Sequence, residues 1–226
     1  MRSIRLLMVL IIALAVGFIG YFYFDVQSQK SKAKQIDTSG QPTLGSKHSP
    51  IHVIVFEEPY CSACRKFSER VLPAIRSEFV DKNLATVTVI PVSFLPHSML
   101  LAEGWLSVYH QNPAEPNAEL FFAFARYFYQ HQPDEGSVLS VSQVLQMAKE
   151  ASPKINLQQL EHNLKERTYH IRVEENTTYA KQLLGGRLAT PALFINGRVV
   201  EDISVNNVMT EIHERLAEFH DRGGDR

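Results

Sequence analysis

The chain has 226 residues, 45% hydrophobic and 21% charged, and its 23 basic residues against 24 acidic ones leave a formal net charge of −1. That length suits one ordinary domain, or a small domain carrying an insertion, with room for a hydrophobic core. Nothing in the charge balance calls for nucleic acid, which is bound through clustered positive charge.

The first 24 residues differ in kind from the rest. Arg2 and Arg5 precede nineteen uncharged residues, Leu6 to Phe24, long enough to cross a bilayer as a helix and without the polar stripe of a soluble one. Residues 1–24 are expected to form a signal anchor, a transmembrane helix. Ala13 to Ala15 offers a small-x-small cleavage site, but apolar and aromatic residues continue to Phe24, so an uncleaved anchor is favoured. No cysteine ends the segment, which excludes a lipoprotein anchor. The arginines before the span place the remainder outside the cytoplasm, in an oxidising compartment. Residues 25–49, rich in Ser, Lys and Gln and without periodicity, are expected to be a polar linker.

The body opens with the β-branched run 51–56, the pattern of a buried strand. Residues 62–79 carry apolar side chains at Cys64, Phe67, Val71, Ile75 and Phe79, a helical spacing, with Pro73 set to kink the helix. A second strand follows at 85–94, and strand, helix, strand argues for a parallel βαβ unit. From 97 to 184 only helical spacing appears, in stretches at 98–111, 118–132, 140–151 and from Leu157 to Leu184, separated by "NPAEPN", "QPDEG" and "SPK". The aromatic run 120–130 reads as the core of this insertion rather than a groove. Strands resume at 191–195 and 198–200 around Asn196-Gly197, a strong hairpin signal, and an amphipathic helix from Ile203 to Phe219 closes the chain. Asn176-Thr177-Thr178 matches a glycosylation sequon.

Chemistry concentrates at "EEPYCSACRKF", 57–67, which holds the only two cysteines. At a helix start, unpaired N–H groups and the helix dipole favour an anion, so the Cys61 thiol is expected to have a lowered pKa. Cys64, one turn on, lies on the inward face and within reach of a disulfide. Exchange through a mixed disulfide needs this division, one sulfur attacked and the other resolving. A zinc site would need further ligands, and no third cysteine exists. Two thiolates could hold copper. A structural disulfide closing so short a loop would be a poor staple. Glu57 and Glu58 are candidates for a carboxylate that moves protons to and from the cysteines.

A strand running into the CSAC motif, the helical insertion, and "GGRLATPALFINGRVV" at 185–200 together resemble the thioredoxin-fold thiol oxidoreductases of the DsbA type, over residues 50–219. The resemblance implies an α/β, thioredoxin-like fold with a helical domain inserted between its βαβ and ββα halves. The expected division is 50–96 and 185–220 for the thioredoxin-like domain and 97–184 for the inserted helical domain. It also implies that Pro191 is cis and faces the cysteines, with Thr190 hydrogen-bonding a substrate peptide. Glu58 aligns with an acid found there in part of the family, which makes it the candidate for proton transfer. Val55 departs from the pattern, since other members carry a buried acid six before the first cysteine. Ser62-Ala63 departs from the Pro-His type, implying a less oxidising pair.

The expected activity is that of a membrane-tethered, extracytoplasmic thiol:disulfide oxidoreductase that introduces disulfides into exported proteins. Cys61 and Cys64 are catalytic, Thr190 and Pro191 bind substrate, and neither cofactor nor metal is required beyond the redox-active disulfide. The implied setting is the periplasmic face of the inner membrane, as a monomer, with reduced exported proteins as substrates and a DsbB-like, quinone-linked membrane oxidoreductase as reoxidant. A disulfide reductase or isomerase of the same fold is the alternative, followed by a thiol-based copper-binding module.

Overall fold

A computed structural model describes residues 16–18 and 33–223. The expected anchor at 1–24 therefore lies outside the described residues apart from 16–18. Among the described residues no helix is long and apolar enough to cross a membrane.

Five strands form one sheet in the order β1-β3-β2-β4-β5, with β1 at Thr43–Leu44, β2 at Ile51–Glu57, β3 at Ala85–Pro91, β4 at Ala192–Ile195 and β5 at Arg198–Val200. β2 and β3 are parallel, Val55 opposite Val89, as expected for a βαβ unit; β4 runs antiparallel to β2, and β5 to β4. The β4–β5 turn has Asn196 at φ 47° and Gly197 at φ 76°, the positive angles a two-residue hairpin requires. Any other residue at 197 would be obstructed, because a Cβ there would lie 2.1 Å from the backbone oxygen of Lys34.

Helix α1 spans residues 62–80. It is α-helical at Ser62–Lys66 and Leu72–Ile75 and π-helical at Phe67–Val71 and Arg76–Val80. The wider turn before Pro73, where Leu72 N–H reaches back to Phe67 O, makes room for a ring that has no N–H to give. The apolar stripe stays in phase throughout: Cys64, Phe67, Val71, Ile75 and Phe79 are all buried. α1 covers one face of the sheet with the last helix, α7 (Val205–Asp221), which buries Val208, Ile212 and Leu216.

Between β3 and β4 lie α2 (Met99–Tyr109), α3 (Ala118–Gln130), α4 (Val141–Ala151), α5 (Leu157–Lys165) and α6 (His170–Leu183). The last expected helical stretch is thus two helices. They part at Arg167, which takes φ 54°, a break with no Gly or Pro to announce it. The aromatic run is core as expected, with Phe121, Phe124, Phe128 and Tyr129 fully buried and Trp105 set edge-on against three of them. α6 instead packs on the opposite face of the sheet, its Ala180 and Tyr179 meeting Ile54, Phe56, Ile90 and Phe194.

Residues 33–49, expected to be linker, form a strap across the body. Lys34 N–H donates to Gly197 O at 2.8 Å, Asp37 N–H to the Tyr179 hydroxyl at 3.0 Å, and Gln41 Nε2 to Asn176 Oδ1 at 2.7 Å, before β1 joins the sheet edge. Hydrogen bonds rather than apolar burial hold most of this segment, so its polar composition concealed it. Asn176 is itself buried and also donates to Pro91 O at 2.9 Å. The sequon is therefore closed to a glycan in the folded chain.

Candidate active site

β2 delivers its last residue, Glu57, to the sheet end, and four residues later Cys61 caps helix α1. Cys61 has extended backbone, φ −71° and ψ 115°, and its Sγ accepts from Cys64 N–H at 3.4 Å, closing the first turn. Cys61 is partly exposed and Cys64 fully buried, both as free thiols. The Thr190-Pro191 peptide bond is cis, and the Cys61 thiol donates to Thr190 O at 3.2 Å. Of the residues expected at the site, Cys61, Cys64, Thr190 and Pro191 thus meet at one end of the sheet, and Glu58 lies three residues before Cys61.

The two sulfurs stand in opposite electrostatic surroundings. The Cys61 thiol is lowered to about 6, first by a hydrogen bond from the Cys64 side chain, then by Thr190 and the N–H groups of Cys64 and Ala63, against the opposing effect of burial. Thr190 Oγ1 is buried with no other partner, so a thiolate at Cys61 is the acceptor open to it. Burial pushes the Cys64 thiol well up, reinforced by its bond to Cys61 and by negative charge on Glu57. The surroundings thus favour loss of the proton at Cys61 and oppose it at Cys64.

Both glutamates are buried, at 2% and 0% exposure. Glu58 Oε2 accepts from Tyr60 N–H at 2.7 Å. Burial raises its carboxyl to about 7, against hydrogen bonds from Ser98 and from the backbone of Tyr60 and Leu95. Glu57 is raised further, to about 8, by burial opposed by one hydrogen bond from Tyr129. That bond, 3.1 Å to Oε2, comes from α3 of the insertion. Tyr129 was legible only as core. The sequence signal for its partner lies in β2: Ile51, Val53, Val55 and Glu57 share one face, so an acid stands in phase with buried aliphatics.

The insertion touches the site elsewhere as well. Gln132 Nε2 donates to Pro59 O at 2.6 Å and the Tyr60 hydroxyl to Ser137 O at 2.7 Å, fastening the turn before Cys61 to the loop after α3. On the other side a groove of about 310 Å³ opens between Ala63, Phe67 and Val71 of α1 and Ile203 and Val205 at the start of α7, beside the exposed Lys66 and Arg70. Among the described residues no group of three or more His, Cys, Asp or Glu is placed to hold a metal.

A family model described as Thioredoxin matches residues 37–214. Disulfide bond formation protein D of Bacillus subtilis is 24% identical over 190 residues, covering 84% of this chain and 82% of that protein. Among solved structures, DsbA of Chlamydia trachomatis superposes with a TM-score of 0.72 at 28% identity, over 84% of this chain and 97% of that one. Oxidised BdbD of Bacillus subtilis gives the same TM-score at 24% identity, over 83% and 98%. The chain belongs to the thioredoxin family, as a thiol:disulfide oxidoreductase of the DsbA type.

Proposed function

We propose that the protein introduces disulfides into exported proteins through the Cys61–Cys64 pair. In the oxidised form a substrate thiolate attacks Cys61, the more exposed sulfur; the bond to Cys64 breaks, and the substrate is held as a mixed disulfide. A second substrate thiolate then attacks the substrate's sulfur, Cys61 departs as thiolate, and the protein is left reduced by two electrons. The observation that carries this reading is the contrast between the sulfurs, with the Cys61 thiol lowered to about 6 and Cys64 buried and raised. A stabilised thiolate favours the reduced form, which makes the disulfide a better oxidant.

Thr190 and Pro191 border Cys61 where an extended chain can lie. The adjoining apolar groove suits an unfolded segment, the substrate class that carries unpaired cysteines. The 1–24 segment would tether the protein to the membrane on its extracytoplasmic side, and a quinone-linked membrane oxidoreductase of the DsbB kind would return the electrons. The names of the Bacillus relatives, which refer to disulfide bond formation, support this direction over reduction.

The deciding measurement is the reduction potential of the pair, by equilibration against glutathione. The Cys61 thiol at about 6 lies between those of thioredoxin, ~7, and a strong oxidant, ~3.5. The potential is therefore expected between about −270 and −120 mV. A value at or below the lower figure would assign the pair to reduction and overturn the oxidase reading.

A further inference from the structure

The helix that carries the cysteines is cationic along the edge of the apolar groove. Ala63, Lys66, Phe67, Arg70 and Val71 recur at intervals of about one turn and all line it, against the start of α7. Phe67 and Val71 are buried and form an apolar floor, whereas Lys66 and Arg70 are exposed and stand at the rim. Ala63 occupies the upper end, two residues after Cys61.

Both rim charges are uncommitted. Arg76, further along α1, donates to the two oxygens of Glu119 at 3.0 and 2.8 Å and lies 3.6 Å from Asp81. Among the described residues neither Lys66 nor Arg70 has such a partner. Glu69, exposed on the same helix, reaches neither of them, and Asp202 Oδ1 is turned to the N–H of Ser204 at 2.9 Å. An apolar floor below two free cations matches a chain that is apolar where it meets the floor and acidic where it passes the rim; a basic residue there is repelled. Spacing sets the place of the acid. Lys66 and Arg70 follow Cys61 by five and nine residues, about 7 and 13 Å along a helix axis, which an extended chain covers in about two and four residues.

Taking Cys61 as the sulfur that substrate attacks, as above, we propose that Lys66 and Arg70 are specificity-determining residues that select exported chains carrying Asp or Glu about two to four residues from the reacting cysteine, with apolar side chains between. The bond changes are those already given. A substrate thiolate bonds to Cys61, the electron pair of the broken Cys61–Cys64 bond goes to Cys64, and a second substrate thiolate displaces Cys61, so that two thiols leave as one disulfide. The two cations take no part in these changes. They raise the local concentration of acid-flanked thiolates and hold such a chain along α1 while the sulfurs exchange.

The test offers the full oxidised chain an excess of short peptides with one cysteine, apolar residues beside it and, three places away on both sides, Asp, Asn or Lys. Reduction of the protein is followed by the mass gained on alkylation at low ionic strength, with each rate divided by the peptide thiolate concentration. The Asp peptide is expected to react about threefold faster than the Asn peptide, and the Lys peptide about threefold slower. Lys66→Gln combined with Arg70→Gln is expected to bring the three rates together. Lys66→Glu combined with Arg70→Glu is expected to reverse their order, which a merely structural loss would not do. Lys82→Gln, an exposed site beyond the far end of α1, is expected to keep the order of the unaltered protein. In about 0.5 M sodium chloride the unaltered protein is expected to lose most of its preference. Equal rates for the three peptides, a preference that survives the paired glutamines, or one indifferent to salt would overturn the proposal, and the salt result depends on no variant. A preference that vanishes as the protein is concentrated would assign the groove to a second copy of the chain and overturn it as well. If neither the peptides nor 2-mercaptoethanol form a mixed disulfide at Cys61, it is instead the redox-pair reading that fails.

Discussion

At the residue scale, the chemistry rests on how differently two sulfurs three residues apart are treated. Cys61 is lowered mainly by the hydrogen bond from Cys64, so each depends on the other's protonation. Thiolate absorbance of the reduced protein is expected to rise with a midpoint near pH 6. In Cys64→Ala that midpoint is expected to move up, because the first-ranking donor is gone; Thr190→Val should move it less. An unmoved midpoint in Cys64→Ala would assign the lowering to the helix terminus alone. The cysteines were the most legible residues of the chain, because their spacing, burial phase and position before a helical stripe all agree. Glu57 was legible in part. The sequence names it beside Glu58, and its phase with Val53 and Val55 marks it as buried, but the partner hydroxyl comes from a helix seventy-two residues away in sequence.

At the element scale, what was legible divides by the force that holds each piece. β2, β3, the β4–β5 hairpin, α1 and α7 bury aliphatic or aromatic side chains at fixed periods, and those periods appear directly in the sequence. The strap at 33–49 and the break between α5 and α6 depend on hydrogen bonds to distant partners and on one positive φ at Arg167, and neither leaves a hydrophobic pattern. The strap also explains Gly197, which must both adopt φ 76° and let Lys34 pass. Gly197→Ala is expected to cost more than about 1 kcal/mol in urea unfolding and to open residues 34–45 to limited proteolysis, since the obstructing atoms are backbone and cannot swing aside. Loss of stability without new cleavage in the strap would mean that the turn alone, and not the close approach, sets the residue.

At the scale of the whole molecule, the site's charges set how stability follows pH. Glu57 and Glu58 are raised from about 4.5 to about 8 and about 7. The folded chain therefore holds protons that the unfolded chain releases, and stability falls as pH rises from about 4.5 through these values. Cys61 acts with the opposite sign. Lowered from 9.0 to about 6, it adds stability that is complete above the unfolded thiol's value and lost as pH falls through 6. Only the reduced protein has that thiol. Urea unfolding of both forms is expected to show the oxidised protein losing stability steadily from pH 5 to 8. The reduced protein should gain relative to it between pH 6 and 9. Parallel curves for the two forms would contradict the assigned Cys61 shift.

The strap also sets where the chain enters the body. Lys34 is bonded to Gly197, and the neighbouring Asn196 bonds to His52 and Pro50 where β2 begins; the cysteines follow where β2 ends. Seven residues of strand separate the two ends, roughly 20 Å. With the tether proposed above, the body would be moored by the pole opposite its sulfurs. The redox centre would then lie at the end of the body remote from the point where the chain enters it.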